Sequence, residues 1–209
     1  MNLNKIKRRD FVKTFSFLPF IGFGLSSRAS KIFNIEEILE PRYLGRLDAP
    51  IKFIEFVSMT CSHCADFHIN TLPEIKKKYI DSGKLRLELR DFPLDGLALR
   101  ASAMARLIDP NKYYKFVDML FKKQKKWSRS ENPINELKKL GRLAGLEKTK
   151  IDIAIDEISV LEAIFKMRQQ AEKKYNIQST PSFVINEQYF LSGNLSVEKF
   201  EETFKKISV

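Results

Sequence analysis

The chain of 209 residues has two cysteines, and they stand together as Cys61-Ser62-His63-Cys64. A pair at this spacing can close into a disulfide and reopen. The attacking species in such an exchange is the thiolate, not the thiol. A protonated His63 sets a positive charge beside the sulfurs. Two other chemistries fit the same residues. One is an inert disulfide, but a bridge that closes so short a loop restricts the unfolded chain very little. The other is a metal site built from Cys61, His63, Cys64 and His68, with Cys64 and His68 at i, i+4 on one helical face. A C-x-x-C zinc site ordinarily draws on a second ligand pair, and His68 alone reads as a packing residue. The redox dithiol is the leading reading.

The elements around the pair decide its reactivity. Ile51 to Val57 is an apolar run that reads as a buried strand. Cys64, Phe67, Leu72 and Ile75 follow near helical spacing, so Cys61 stands at a strand-to-helix junction. Free N–H groups and a partial positive charge at a helix start favour a thiolate. Such settings bring a cysteine from about 8.5 into the range of roughly 3.5–7.5. That stabilises the reduced form and makes the disulfide more oxidising. Cys61 is then the exposed attacking sulfur and Cys64 the buried resolving one. Glu55 interrupts the apolar strand. A buried carboxylate is costly unless paired, so Glu55 is either a proton acceptor or tuner for Cys64 or a residue on the open side of an edge strand.

The rest of the chain supplies the frame. Ile32 to Leu39 has a short helical pattern, Tyr43-Leu44-Gly45 a short edge strand, and Asp48-Ala49-Pro50 a turn. Thr71-Leu72-Pro73-Glu74 matches a capping box, with Pro73 expected to kink or restart the helix. Lys84 to Arg90 alternates, which places Leu85, Leu87 and Leu89 on one face. Strand, helix and strand make a right-handed βαβ unit with a parallel pair. Residues 94–175 carry only helical signals: Leu97 to Ile108, Tyr113 to Phe121, Ile134 to Leu143, Lys148 to Ile155 and Val160 to Tyr175. Trp127 to Asn132 reads as a polar loop. Thr180-Pro181 then opens an apolar strand through Asn186. Glu187-Gln188 is a tight turn, Tyr189-Phe190-Leu191 pairs back, and Ser196 caps a last helix with Phe200, Phe204 and Ile207 on one face.

Composition bounds the class. The length fits one domain with an insertion. The formal charge is +11. The first 29 residues hold six Lys or Arg against one Asp, which leaves +6 for the remainder. That surplus does not demand nucleic acid, and no nucleic-acid motif appears. The lysine runs lie on helical segments as solvated faces. Residues 1–29 read as an export signal: a basic start, an apolar stretch from Thr14 to Leu25 too short for the ~20 residues of a membrane span, and Ser27-Arg28-Ala29 for cleavage. Lys7-Arg8-Arg9-Asp10-Phe11-Val12-Lys13 resembles a twin-arginine export motif, with an ordinary secretory signal as the alternative. Both place the mature protein in a compartment where disulfides persist. The segment has no cysteine for a lipid anchor; left uncleaved, it would tether the protein to the membrane.

The succession β-α-β, helical block and Thr-Pro before β-β-α resembles an α/β thioredoxin-like fold with an inserted all-helical subdomain. It resembles in particular the DsbA-like thiol–disulfide oxidoreductases. The matching residues are Glu55-Phe56-Val57, Cys61 to His68, Arg90-Asp91-Phe92-Pro93-Leu94 and Thr180-Pro181. The implied division is 30–93 and 176–209 for the thioredoxin-like halves and 94–175 for the insertion. The resemblance implies a cis Pro181 beside Cys61 and substrate pairing along the Thr180 backbone. It also implies a mixed disulfide on Cys61, a thiolate stabilised by His63, and Glu55 as the family's buried acid. No cofactor beyond the Cys61–Cys64 disulfide is implied. The partners implied are cysteine-containing exported proteins and a DsbB-type membrane oxidase linked to quinone, with the protein a periplasmic monomer. Ser62 departs from the Pro of well-known members and bears on oxidant strength and substrate contact. The short stretch 30–50 leaves little room for the dimerisation region of disulfide isomerases. A periplasmic reductase or isomerase and a Cys/His metal carrier are the competing readings.

Overall fold

The computed structural model describes residues 33–207; residues 1–29, where an export signal is expected, lie outside them. The centre is a five-stranded sheet in the order β1-β3-β2-β4-β5. Its strands are β1 (Arg42–Leu44), β2 (Ile51–Val57), β3 (Leu85–Asp91), β4 (Ser182–Ile185) and β5 (Tyr189–Ser192). β2 and β3 run parallel, as the βαβ reading requires, while β1, β4 and β5 are antiparallel to their neighbours. The central place of β2 explains why its apolar run is nearly unbroken: both of its faces are covered, and only Lys52 is exposed.

One face of the sheet packs on the helix that follows β2 and on α10 (Val197–Ile207). Phe53, Leu85, Leu87, Phe183 and Ile185 meet Phe67, Leu72, Ile75, Phe200 and Phe204 there. The rings of Phe53, Phe67, Phe183 and Phe200 lie 4.8–5.6 Å apart by centroid. Each such pair contributes about 0.5–1.5 kcal/mol beyond its buried area. The other face buries Ile54, Phe56 and Val184 under Ala171 and Tyr175 of α9 (Ile158–Tyr175).

Between β3 and β4 stand α4 (Gly96–Leu107), α5 (Tyr113–Lys122), α6 (Gln124–Ser128), α7 (Pro133–Leu143), α8 (Lys148–Asp156) and α9. Their apolar faces form one continuous core with Val57, Met59, Cys64 and Leu89 of the thioredoxin-like part. Arg106 of α4 and Asp91 of β3 seal the junction with a 2.6 Å ion pair whose side chains are both 0% exposed. The remaining guanidinium N–H groups donate to Glu40 O and Leu89 O.

Three local expectations change. The helix after Cys61 runs through α2 (Ser62–Asp66), a π-helical stretch Phe67–Thr71, α3 (Leu72–Ile75) and a second π-helical stretch Lys76–Ile80. No capping box interrupts it: Thr71 is itself helical, and its hydroxyl donates to Leu195 O. Pro73 stands in the first turn of α3, where a missing N–H costs the helix nothing. Trp127 is not in a polar loop; it is a 1% exposed residue of α6, and its Nε1 donates to Leu120 O. The β4–β5 turn centres on Asn186 and Glu187, both at positive φ, one residue earlier than expected. Asn186 holds that register, because its side chain accepts from Lys52 N and donates to Pro50 O.

Candidate active site

Cys61 ends the loop that leaves β2 and serves as N-cap of α2, with extended backbone (φ −74°, ψ 120°). Its N–H donates to Ser58 O and its carbonyl accepts from Ala65 N, both at 3.1 Å. Cys61 is half-buried and Cys64 fully buried, and both are free thiols in this structure. The Cys61 thiol donates to Thr180 O across 3.2 Å. The Thr180–Pro181 peptide is cis. Thus β2, the motif helix and the start of β4 converge on one sulfur.

The two sulfurs are driven in opposite directions. Cys61 is held down to about 5, chiefly by the Cys64 thiol, which donates to it. The backbone N–H groups of Cys64 and His63 help, and partial burial opposes them. Cys64 is pushed well above the usual thiol range, first by burial, then by its bond to Cys61 and by the charge of Glu55. This is an attacking sulfur beside a resolving one.

The expected site residues divide into two groups. Cys61, Cys64, Thr180 and Pro181 meet at the sulfur pair, with Ser62 and His63 exposed at its rim. What His63 brings to Cys61 here is its backbone N–H. Glu55 is 0% exposed on the central strand, which overturns the open-edge reading. Its Oε2 lies 3.0 Å from His68 Nε2. His68 is therefore a polar partner, not merely a packing residue. The four proposed metal ligands do not converge, and among the described residues no group of three or more His, Cys, Asp or Glu is placed to hold a metal.

Sequence reasoning missed the groups that fix the loop. Gln124, 5% exposed on α6, donates through Nε2 to Met59 O and to Cys61 O, each at 2.9 Å. Thr60 donates to Asp95 Oδ2 at 2.7 Å, while Asp95 Oδ1 caps α4 at Ala98 N. Ser58 Oγ accepts from Leu94 N. Asp95 carries a readable signal, an Asp just before an Ala-rich helical run; Gln124 carries none.

A thioredoxin family model matches residues 38–206. The chain belongs to that family. Within it the chain is DsbA-like. It is similar to alpha-DsbA1 of Wolbachia pipientis, with a TM-score of 0.74 and 28% identity over 81% of this chain and 91% of that one. A putative protein-disulfide oxidoreductase of Rickettsia bellii is 32% identical over 85% of this chain and 70% of its own length. A probable disulfide bond formation protein D of Bacillus anthracis is 31% identical over 78% of this chain and 75% of its own. The chain spans only 58% of the corresponding Rickettsia felis relative. This DsbA-like protein thus has the sulfur pair, the Thr-Pro turn and the helical block in one arrangement.

Proposed function

We propose that this protein is an exported thiol oxidase that donates the Cys61–Cys64 disulfide to other proteins. A substrate thiolate attacks Cys61 Sγ, the bond to Cys64 breaks, and Cys64 leaves and is protonated. A second substrate thiolate then attacks its own sulfur in the mixed disulfide. Cys61 departs as a thiolate, with two electrons moved from substrate to protein. A sulfur held down to about 5 is a good leaving group and a stable anion at neutral pH. That is the single observation that carries the oxidising direction.

The extended edge at Thr180 and Pro181 suits an unfolded substrate strand laid beside Cys61, with Ser62 and His63 at the rim to contact it. Glu55 is the candidate proton acceptor for Cys64. Lys7-Arg8-Arg9 and the apolar stretch after it support export through residues 1–29, and so a periplasmic location. Renewal of the disulfide falls to a membrane oxidase of the DsbB type. No helix among the described residues is long and apolar enough to cross a membrane.

The test is the reduction potential, measured by equilibration with glutathione. An oxidase gives a value above the roughly −200 to −230 mV of glutaredoxins, and Cys61→Ala abolishes oxidation of a reduced test protein. A value well below that range favours a reductase and sinks the proposal.

A further inference from the structure

The hydrogen bond between His68 and Glu55 has a use the sulfur chemistry needs. On β2, Glu55 shares a face with Phe53 and Val57, the face that the motif helix covers. Cys64 and His68 are one helical turn apart on that helix, so both look onto the same strip of β2. His68 Nε2 lies 3.0 Å from Glu55 Oε2, and the side chains are 3% and 0% exposed. Glu55 Oε1 is buried with no hydrogen-bond partner. The His68 ring also packs against Phe121 of α5, tilted by 33° with centroids 4.4 Å apart. Other ionisable groups around the carboxylate come from α5: Tyr113 and Tyr114, whose phenols burial pushes upward and keeps neutral. Behind Tyr113 stand Asp91, Arg106 and Arg42.

We propose that His68 is a proton relay: Glu55 takes the Cys64 proton, and the imidazole, which keeps 3% exposure, passes it to solvent water. This rests on the reading of Glu55 as the acceptor for Cys64. In the resolving step the Cys64 S–H proton moves to the carboxylate. The Cys64 sulfur then attacks Cys61 Sγ, the Cys61–Cys64 bond forms, and the bound partner leaves as a thiolate. One proton must leave a site where Glu55 has no exposure. The imidazole, which can accept at one nitrogen while releasing from the other, is the only group hydrogen-bonded to that carboxylate among the described residues. In the oxidising direction the same path runs backward and protonates the departing Cys64.

The experiment loads the full-length protein with glutathione on Cys61. It follows expulsion of glutathione by Cys64 from pH 5 to 8, using acid quench and mass spectrometry. Glu55→Gln, His68→Gln and His68→Phe are compared with the parent, and each is checked for cooperative unfolding. His68→Gln keeps an N–H for Oε2 but cannot relay; His68→Phe keeps the ring contact with Phe121. The expected result is a loss on the order of 10²-fold at pH 7 in every single variant, with the Glu55→Gln/His68→Gln pair no slower than either alone. The variants should also gain about tenfold per pH unit as solvent takes over proton removal, while the parent profile stays flatter. Parent-like rates in both His68 variants overturn the relay. If Glu55→Gln is slow while the His68 variants are not, only the relay fails. A parent-like Glu55→Gln removes the acceptor reading as well.

Discussion

Gln124 Nε2 lies 2.9 Å from Cys61 O, joining a residue of the helical block to the reactive cysteine 63 positions away. A second bond from the same nitrogen holds Met59 O. Gln124→Leu removes both bonds, taking the side-chain donor from Met59 O and leaving Cys61 O with Ala65 N. The expected cost is about 1–3 kcal/mol, read by urea unfolding of the oxidised protein. Slower attack by reduced glutathione on Cys61 should accompany it, since the loop no longer presents the sulfur in one geometry.

Cys61 should titrate near 5, seen as thiolate absorbance that disappears as pH falls through that value. The largest cause is the Cys64 thiol, so Cys64→Ala should raise the midpoint more than His63→Ala does. A midpoint unchanged in Cys64→Ala would count against the sulfur-to-sulfur hydrogen bond as the main influence.

Redox state and stability are linked through the same group. Cys61 is depressed from 9.0 to about 5 in the folded protein, so folding of the reduced form gains stability above the folded value. The gain is largest near the unfolded value and disappears as pH falls through 5. Cys64, shifted the other way, costs stability only near and above the ordinary thiol range. Between pH 5 and 8 the reduced protein should therefore become steadily more stable relative to the oxidised form. Parallel thermal melts of the two forms across this range check the slope.

Arg106→Met leaves Asp91 charged and unpaired in the interior, for an expected loss of about 3–5 kcal/mol. Replacing both, as Asp91→Leu with Arg106→Met, should recover much of it. Denaturant midpoints of the single and double variants decide the matter.

Much of this arrangement was legible in the chain. The apolar run of β2, the alternation of β3 and the Thr-Pro before β4 are local patterns with local causes. So is the placement of Cys61 at a helix start. What escaped was set by distant partners. Nothing near Gln124, His68 or Arg106 says that they face Cys61, Glu55 or Asp91, because a polar residue in a helical pattern looks the same exposed or buried. The restart expected at Pro73 is there: α3 opens at Leu72 with Pro73 in its first turn. Trp127 sits among Lys and Ser residues that suggested a loop, yet its own side chain fills the core.

The buried pair of Arg106 and Asp91 has a consequence for how the molecule comes apart. Its two ends belong to the inserted helices and to the central sheet, and the apolar interior beside it is shared. The insertion is therefore no detachable module. Clipping the backbone at the exposed stretch around Glu131 and Asn132 should yield fragments that stay associated and melt in a single step, and the N-terminal fragment, which holds Cys61, should not keep it reactive when alone.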